Sequence, residues 1–213
     1  MDIEPTPPAT GQLHKKLARI KDLLASLPPD NAADQPHLAE RSHPSFRYPY
    51  APNPCLPAAD LAAWEAANGV TLPEAYRLFL LDIGNGGILP CSYSRFDLWP
   101  LDKGSVAARL REPFLITRER FAQRMAIPLR ERKGDEYLFP ELRQYADEEV
   151  PPGCLKVARY PSWERVFLVV TGELRGTVWN IVEWETPEVD PHEQPFDFLG
   201  WLEEALLEML EPM

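Results

Sequence analysis

The sequence predicts an α+β fold, a curved and mainly antiparallel sheet with helices packed on one side, and three observations predict it. Residues 71–83 carry apolar side chains at helical spacing and are followed by Asn85-Gly86-Gly87. Residues 154–184 hold three segments rich in β-formers, joined by two short links, the second running from Gly172 to Gly176. Links of that length join antiparallel neighbours, so the segments read as a meander. Residues 198–210 return to helical periodicity, with Phe198, Leu199, Leu202, Ala205, Leu206, Met209 and Leu210 on one face and Glu203, Glu204 and Glu208 on the other.

In chain order, Leu13, Leu17, Ile20, Leu24 and Leu27 form a helical stripe, with Lys15, Lys16, Arg19 and Lys21 mostly elsewhere. That is an amphipathic helix whose basic face reads as solvated. Residues 28–57 hold eight prolines and little periodicity, so they read as an irregular connector. Phe46, Tyr48 and Tyr50 alternate within it, either as a binding strip or as pins to the domain surface. The expected division is residues 1–57, an N-terminal helix and Pro-rich connector, and residues 58–213, the α+β domain.

Within that domain, residues 58–68 form a short helix stopped by Asn68-Gly69. Thr71 and Glu74 match the spacing of a capping box for the next helix, with Pro73 suited to its first turn. Leu72, Tyr76, Phe79 and Ile83 give that helix its buried face, and the glycines end it. Residues 88–101 read as a short strand or irregular crossing, residues 102–111 as a helical turn or two, and residues 126–150 as an insertion loop. Val166–Val170 is the most β-prone run, and Gly172 to Gly176 is the turn after it.

The 213 residues carry a net charge of −11, distributed unevenly. Residues 109–133 sum to +5 and residues 176–213 to −10, with no Lys or Arg after Arg175. Nucleic acid is therefore excluded as the expected partner of the C-terminal third, since phosphate binding needs cationic side chains. Two readings of the acidic end stand: it attracts a basic protein partner, or it is neutralised by the arginine-rich middle within the fold. No apolar run reaches the ~20 residues that a membrane span requires, so no membrane partner is expected. The N-terminus lacks a secretory pattern. Cys55, Cys91 and Cys154 are far apart and odd in number, which fits reduced thiols and a cytoplasmic location.

Catalytic chemistry finds little support. His14, His37, His43 and His192 have no metal-ligand spacing. No nucleophile elbow, phosphate loop or dinucleotide fingerprint occurs. Asn85-Gly86-Gly87 has the composition of an anion-cupping turn, but a helix stop explains it without a ligand. The expectation is a protein that is not an enzyme, with no cofactor and no metal.

The residues Glu65, Gly69, Leu72-Pro73-Glu74, Tyr76, Phe79-Leu80 and Asn85-Gly86-Gly87 resemble the opening pattern of the SUKH superfamily. Leu168 to Gly172 with Gly176 to Trp179 resembles its central hairpin, and Phe196-x-Phe198-Leu-x-Trp201-Leu202 its closing helix. Phe114 to Thr117 resembles a family segment that introduces a further helix, here through Met125. The superfamily includes Smi/Knr-type regulators of fungal cell-wall assembly and bacterial immunity proteins. The resemblance implies a SUKH-like fold and a cytosolic immunity protein that occludes a cognate toxin with a basic surface, often a nuclease. The alternative it implies is a regulatory or scaffold module that has no toxin partner and binds through its N-terminal extension. For the first role the expected partner-binding residues are Asp97, Trp99, Glu164, Glu183, Glu185, Glu188 and Asp190, aromatic and acidic groups suited to a basic surface.

Overall fold

The computed structural model describes residues 10–27, 51–90, 95–101, 107–127, 139–145, 150–159, 165–180, 186–187, 189 and 194–210. The aromatic connector residues Phe46, Tyr48 and Tyr50, and also Cys91, His37, His43 and His192, lie outside them.

Helix α1 (Thr10–Ser26) buries Leu13, Leu17 and Ile20 as one stripe. Helix α2 (Ala58–Asn68) begins after Pro57 and ends where Gly69 turns left-handed at φ 64°. Helix α3 (Glu74–Asp82) buries Ala75, Tyr76, Leu78, Phe79 and Leu80. The expected Thr71–Glu74 capping box does not form: Pro73 is the N-cap residue, with no side-chain cap hydrogen bond. The helix starts two residues later than the box requires, so Thr71 is not the N-cap residue; the Glu74 carboxylate pairs with Arg77 at 3.3 Å, and Glu65, from α2, accepts the Leu72 N–H at 2.7 Å.

Among the described residues, seven strands follow one another across a single antiparallel sheet: β1 (Ala51–Pro52), β2 (Gly87–Pro90), β3 (Arg95–Leu98), β4 (Cys154–Arg159), β5 (Arg165–Val169), β6 (Val178–Asn180) and β7 (Thr186–Pro187). β4, β5 and β6 were legible as the meander. β2 and β3 form a hairpin within the stretch that read as a strand or irregular crossing. β7 pairs with β6.

Side chains alternate across a strand, and here both faces are used. Leu155, Val166, Leu168, Val170 and Val178 enter the main core with α1, α2, α3 and helix α6 (Phe198–Leu210). Phe198 anchors this core, its ring 4.7 Å from that of Tyr76 and 5.0 Å from that of Phe79. These helices lie on one side of the sheet, as expected.

The opposite face carries a smaller cluster that the sequence did not announce: Phe167, Val169 and Trp179 packed with Phe114, Ile116, Phe139 and Leu142. Between β3 and β4 come α4 (Ala107–Leu110), α5 (Arg118–Met125) and a 3₁₀ turn (Pro140–Tyr145). Thr117 caps α5 by accepting the Arg120 N–H at 3.2 Å, and Phe121 of α5 packs on the cluster. The segment read as an insertion loop thus supplies Phe139 and Leu142 as part of a lid on the second face.

Gly86 holds the α3–β2 turn at φ 80°, and a Cβ there would sit 2.7 Å from the Leu98 carbonyl oxygen. Gly86→Ala therefore combines a strained backbone with a steric clash. The expected cost is about 2 kcal/mol, measurable as a lower urea midpoint at unchanged m-value.

Candidate functional site

The turn between α2 and α3 is held by side chains from three directions. Glu65 accepts the Leu72 N–H through Oε1 and the Arg77 guanidinium through Oε2. Arg111 donates to the Asn68 and Ala67 carbonyls at 2.6 and 3.3 Å. Arg175, from the β5–β6 turn, donates to the Thr71 and Leu72 carbonyls at 3.0 and 2.9 Å. A helix junction leaves backbone groups without intrahelical partners, and here charged side chains satisfy them. The hydrogen bond that Arg77 donates to Glu65, together with the negative charges of Glu65 and Glu74, raises the Arg77 pKa against the opposing effect of burial. This junction is a lock and offers no open group for chemistry.

Asn85-Gly86-Gly87 is similarly occupied. Asn85 Oδ1 accepts the Leu101 N–H at 2.8 Å, the Asn85 carbonyl accepts Asn53 Nδ2 at 2.8 Å, and the Asn85 N–H donates to the Pro54 carbonyl at 3.2 Å. The turn knits β1 to the end of β3, which accounts for its composition without an anion.

The candidate interaction face lies on the second side of the sheet, beside the aromatic lid. Leu98 points into the main core, so Asp97 and Trp99 face the other way. On β4 the register shifts between Lys156 and Ala158. Val157 and Ala158 both enter the main core, which returns Arg159 to the same face as Lys156. A bulge re-aims side chains in this manner.

Two rows result. Asp97 pairs across to Arg159, and Arg159 to Arg165. In the other row Lys156 opposes Phe167, which opposes Trp179. Lys156 Nζ sits 3.5 Å from the centre of the Trp99 ring, a cation–π contact worth about 0.5–2 kcal/mol depending on desolvation. Trp99 and Asp97 are both half-buried, whereas Arg165 is buried. Along this row Arg159 stands opposite both Asp97 and Arg165 in register, on its two sides.

Of the seven expected partner-binding residues, the structure places Asp97 and Trp99 on this one face. Glu164, Glu183, Glu185, Glu188 and Asp190 lie outside the described residues. The described strand termini Arg165, Asn180 and Thr186 lie at the same end of the sheet as Asp97 and Arg159, whereas Pro187 lies one step away from that end. The sequence reading missed Lys156, Arg159 and Arg165. Their signal was present as cations at polar positions of apolar strands, but the bulge decides which face they share.

Among the described residues, no group of three or more His, Cys, Asp or Glu side chains is arranged to hold a metal ion. None of the described helices is long and apolar enough to cross a membrane. Cys55 is exposed and Cys154 buried; burial pushes the Cys154 thiol well above its ordinary 9.0 and the Tyr76 hydroxyl above its ordinary 10.0.

The raised values have a consequence at alkaline pH. The unfolded chain gives up these protons from about pH 9 upward while the folded chain keeps them, so the folded state binds more protons and stability falls as pH rises. The stabilisation is complete below pH 9. Each group contributes a limiting slope of about 1.4 kcal/mol per pH unit between its unfolded and folded values. Tyr76→Phe is expected to flatten the decline above pH 10, read from urea midpoints between pH 8 and 11; an unchanged slope would assign the decline elsewhere.

Neither a curated protein nor a solved structure matches the chain. A family-model comparison matches residues 56–195. The match takes in the Glu65 lock, the Leu72-Pro73 helix start, the Asn85-Gly86-Gly87 turn and the sheet from β2 to β7, and on that span the chain belongs to the SMI1 / KNR4 family (SUKH-1).

Proposed function

We propose that the chain is a non-catalytic cytoplasmic binding protein, with residues 58–213 as the binding body, and that it is an immunity protein which neutralises a cognate toxin by direct contact. Membership of the SMI1 / KNR4 family supports a role in protein–protein interaction. The observation that carries the reading is Trp99, half-buried on the sheet face with the Lys156 ammonium against its ring and Asp97 two residues away. An aromatic anchor ringed by charge matches the centre of a tight interface.

The partner presents a basic surface with an acidic or polar spot opposite Lys156. Glu164, Glu183, Glu185, Glu188 and Asp190 supply the negative charge in this reading. Nuclease toxins, built to bind phosphates, have the complementary sign.

Co-expression of this chain with the toxin encoded beside it tests the proposal. Survival of the host is the expected result, and undiminished killing would falsify it. Trp99→Ala, checked for folding by circular dichroism, is expected to weaken the complex by about 30-fold or more through faster dissociation. Reversing Glu183 and Glu185 instead slows association, and the difference shrinks at high salt.

A further inference from the structure

We propose that the end of the sheet around the β5–β6 turn is a second interaction surface, and that it takes an extended, acidic segment of a partner protein. It lies at the far end of β4 and β5 from the row of Asp97, Arg159 and Arg165: Cys154 opposes Val169 here, whereas Arg159 opposes Arg165 at the other end.

The turn from Gly172 to Gly176 gathers the surface. Arg175 belongs to it and donates through Nη2 to the Thr71 and Leu72 carbonyls. Arg118 donates through Nη2 to the Glu173 carbonyl at 3.2 Å. Leu115 follows Phe114, whose N–H donates to the Thr171 carbonyl at 2.8 Å. Leu115 is 40% exposed, while Phe114 and Ile116 on either side of it are buried. Arg111 donates through Nε and Nη2 to the Asn68 and Ala67 carbonyls, three residues before Thr71.

These three arginines differ from the paired cations of the fold. Lys16, Arg19, Lys21, Arg77 and Arg120 each meet a carboxylate. Among the described residues, the guanidinium groups of Arg111, Arg118 and Arg175 meet only backbone carbonyls. The acids nearby are engaged: Glu74 with Arg77, Glu112 with Arg109, Glu119 with the Gln123 amide, and Glu173 with the Arg118 backbone N–H.

A guanidinium carries five N–H donors. Arg118 and Arg175 each use Nη2 alone, so Nε and Nη1 of each remain for a two-pronged acceptor such as a carboxylate. Backbone carbonyls already hold all three groups, so binding has little left to immobilise. Exposed ion pairs alone contribute little, and Leu115 adds the apolar contact they lack. The Asn68 and Thr71 carbonyls are three residues and so up to about 11 Å apart, a spread that successive acidic side chains match better than one ion.

Titration of the full-length, 15N-labelled chain tests the surface. The probe is a short synthetic peptide of aspartates interrupted by leucines, compared with its lysine counterpart and with a single-stranded DNA of equal charge. The aspartate peptide is expected to shift the Nε–H signals of Arg118 and Arg175, and the lysine peptide to leave them unmoved. Leu115→Glu, at an exposed position and checked for folding by circular dichroism, should weaken binding about tenfold. Leu115→Met keeps the apolar contact and should bind like the parent. Raising the salt to about 0.5 M NaCl should weaken binding as well. No binding at about 1 mM peptide, equal binding of the lysine peptide, tighter binding of the DNA, or a silent Leu115→Glu overturns the proposal. None of these outcomes bears on the Trp99 face, whose own test is protection against the toxin.

Discussion

Trp179→Ala is expected to lower the thermal unfolding midpoint by about 8–16 °C, corresponding to a loss of about 4 kcal/mol. Trp179 is fully buried on β6 and is the hub of the second core. Its ring lies 5.0 Å from that of Phe114, 5.1 Å from Phe139 and 6.2 Å from Phe121, each near edge-on. Those three partners come from the chain between β3 and β4, so one substitution detaches the lid from the sheet. The indole N–H donates to Thr177 Oγ1 at 2.9 Å, and alanine loses that bond as well. Trp179→Phe keeps a ring in the cluster and should cost less than half as much. Differential scanning calorimetry separates the two; an alanine variant within about 1 kcal/mol of the parent would mean that the second face is not a packed core.

Glu65→Ala should cost about 3 kcal/mol, a fall of about 6–12 °C. One carboxylate there serves two demands, the Leu72 N–H and the Arg77 guanidinium. Its removal leaves a backbone donor unpaired at the start of α3 and leaves Arg77, whose side chain is 27% exposed, with the more distant Glu74 at 3.3 Å. Losing one partner of a half-buried ionic contact costs more than the pair itself contributes. Glu65→Gln retains the acceptor for Leu72 but loses the charge, so it should fall between alanine and the parent. Equal stability of all three, measured in urea, would show that Arg111 and Arg175 alone hold the junction.

Helices α1, α3 and α6 were legible because each buries one face in the main core, and a one-sided demand imposes a period on the sequence. Leu13, Leu17 and Ile20 in α1, and Phe198, Leu202 and Leu206 in α6, show it directly. β4 to β6 were legible from β-branched content and the Gly172 and Gly176 turn. The lid was not, because Phe139 and Leu142 sit at a 3₁₀ turn too short to carry a period. The capping box failed for a different reason: Thr71 and Glu74 have the local spacing, but the helix begins after Pro73, so Thr71 stands two residues before the N-cap.

The candidate face was half legible. Residue type pointed to Trp99 and Asp97 as contact groups. Their cationic neighbours Lys156, Arg159 and Arg165 come together through strand register and a bulge, which depend on pairing between distant segments.

Among the described residues, both rims of the sheet end in strands of two residues, Ala51–Pro52 and Thr186–Pro187, each closing on an imino acid that cannot donate to a ladder. At those two prolines an incoming peptide finds no backbone donor with which to extend the sheet, so added-strand docking is disfavoured at these positions.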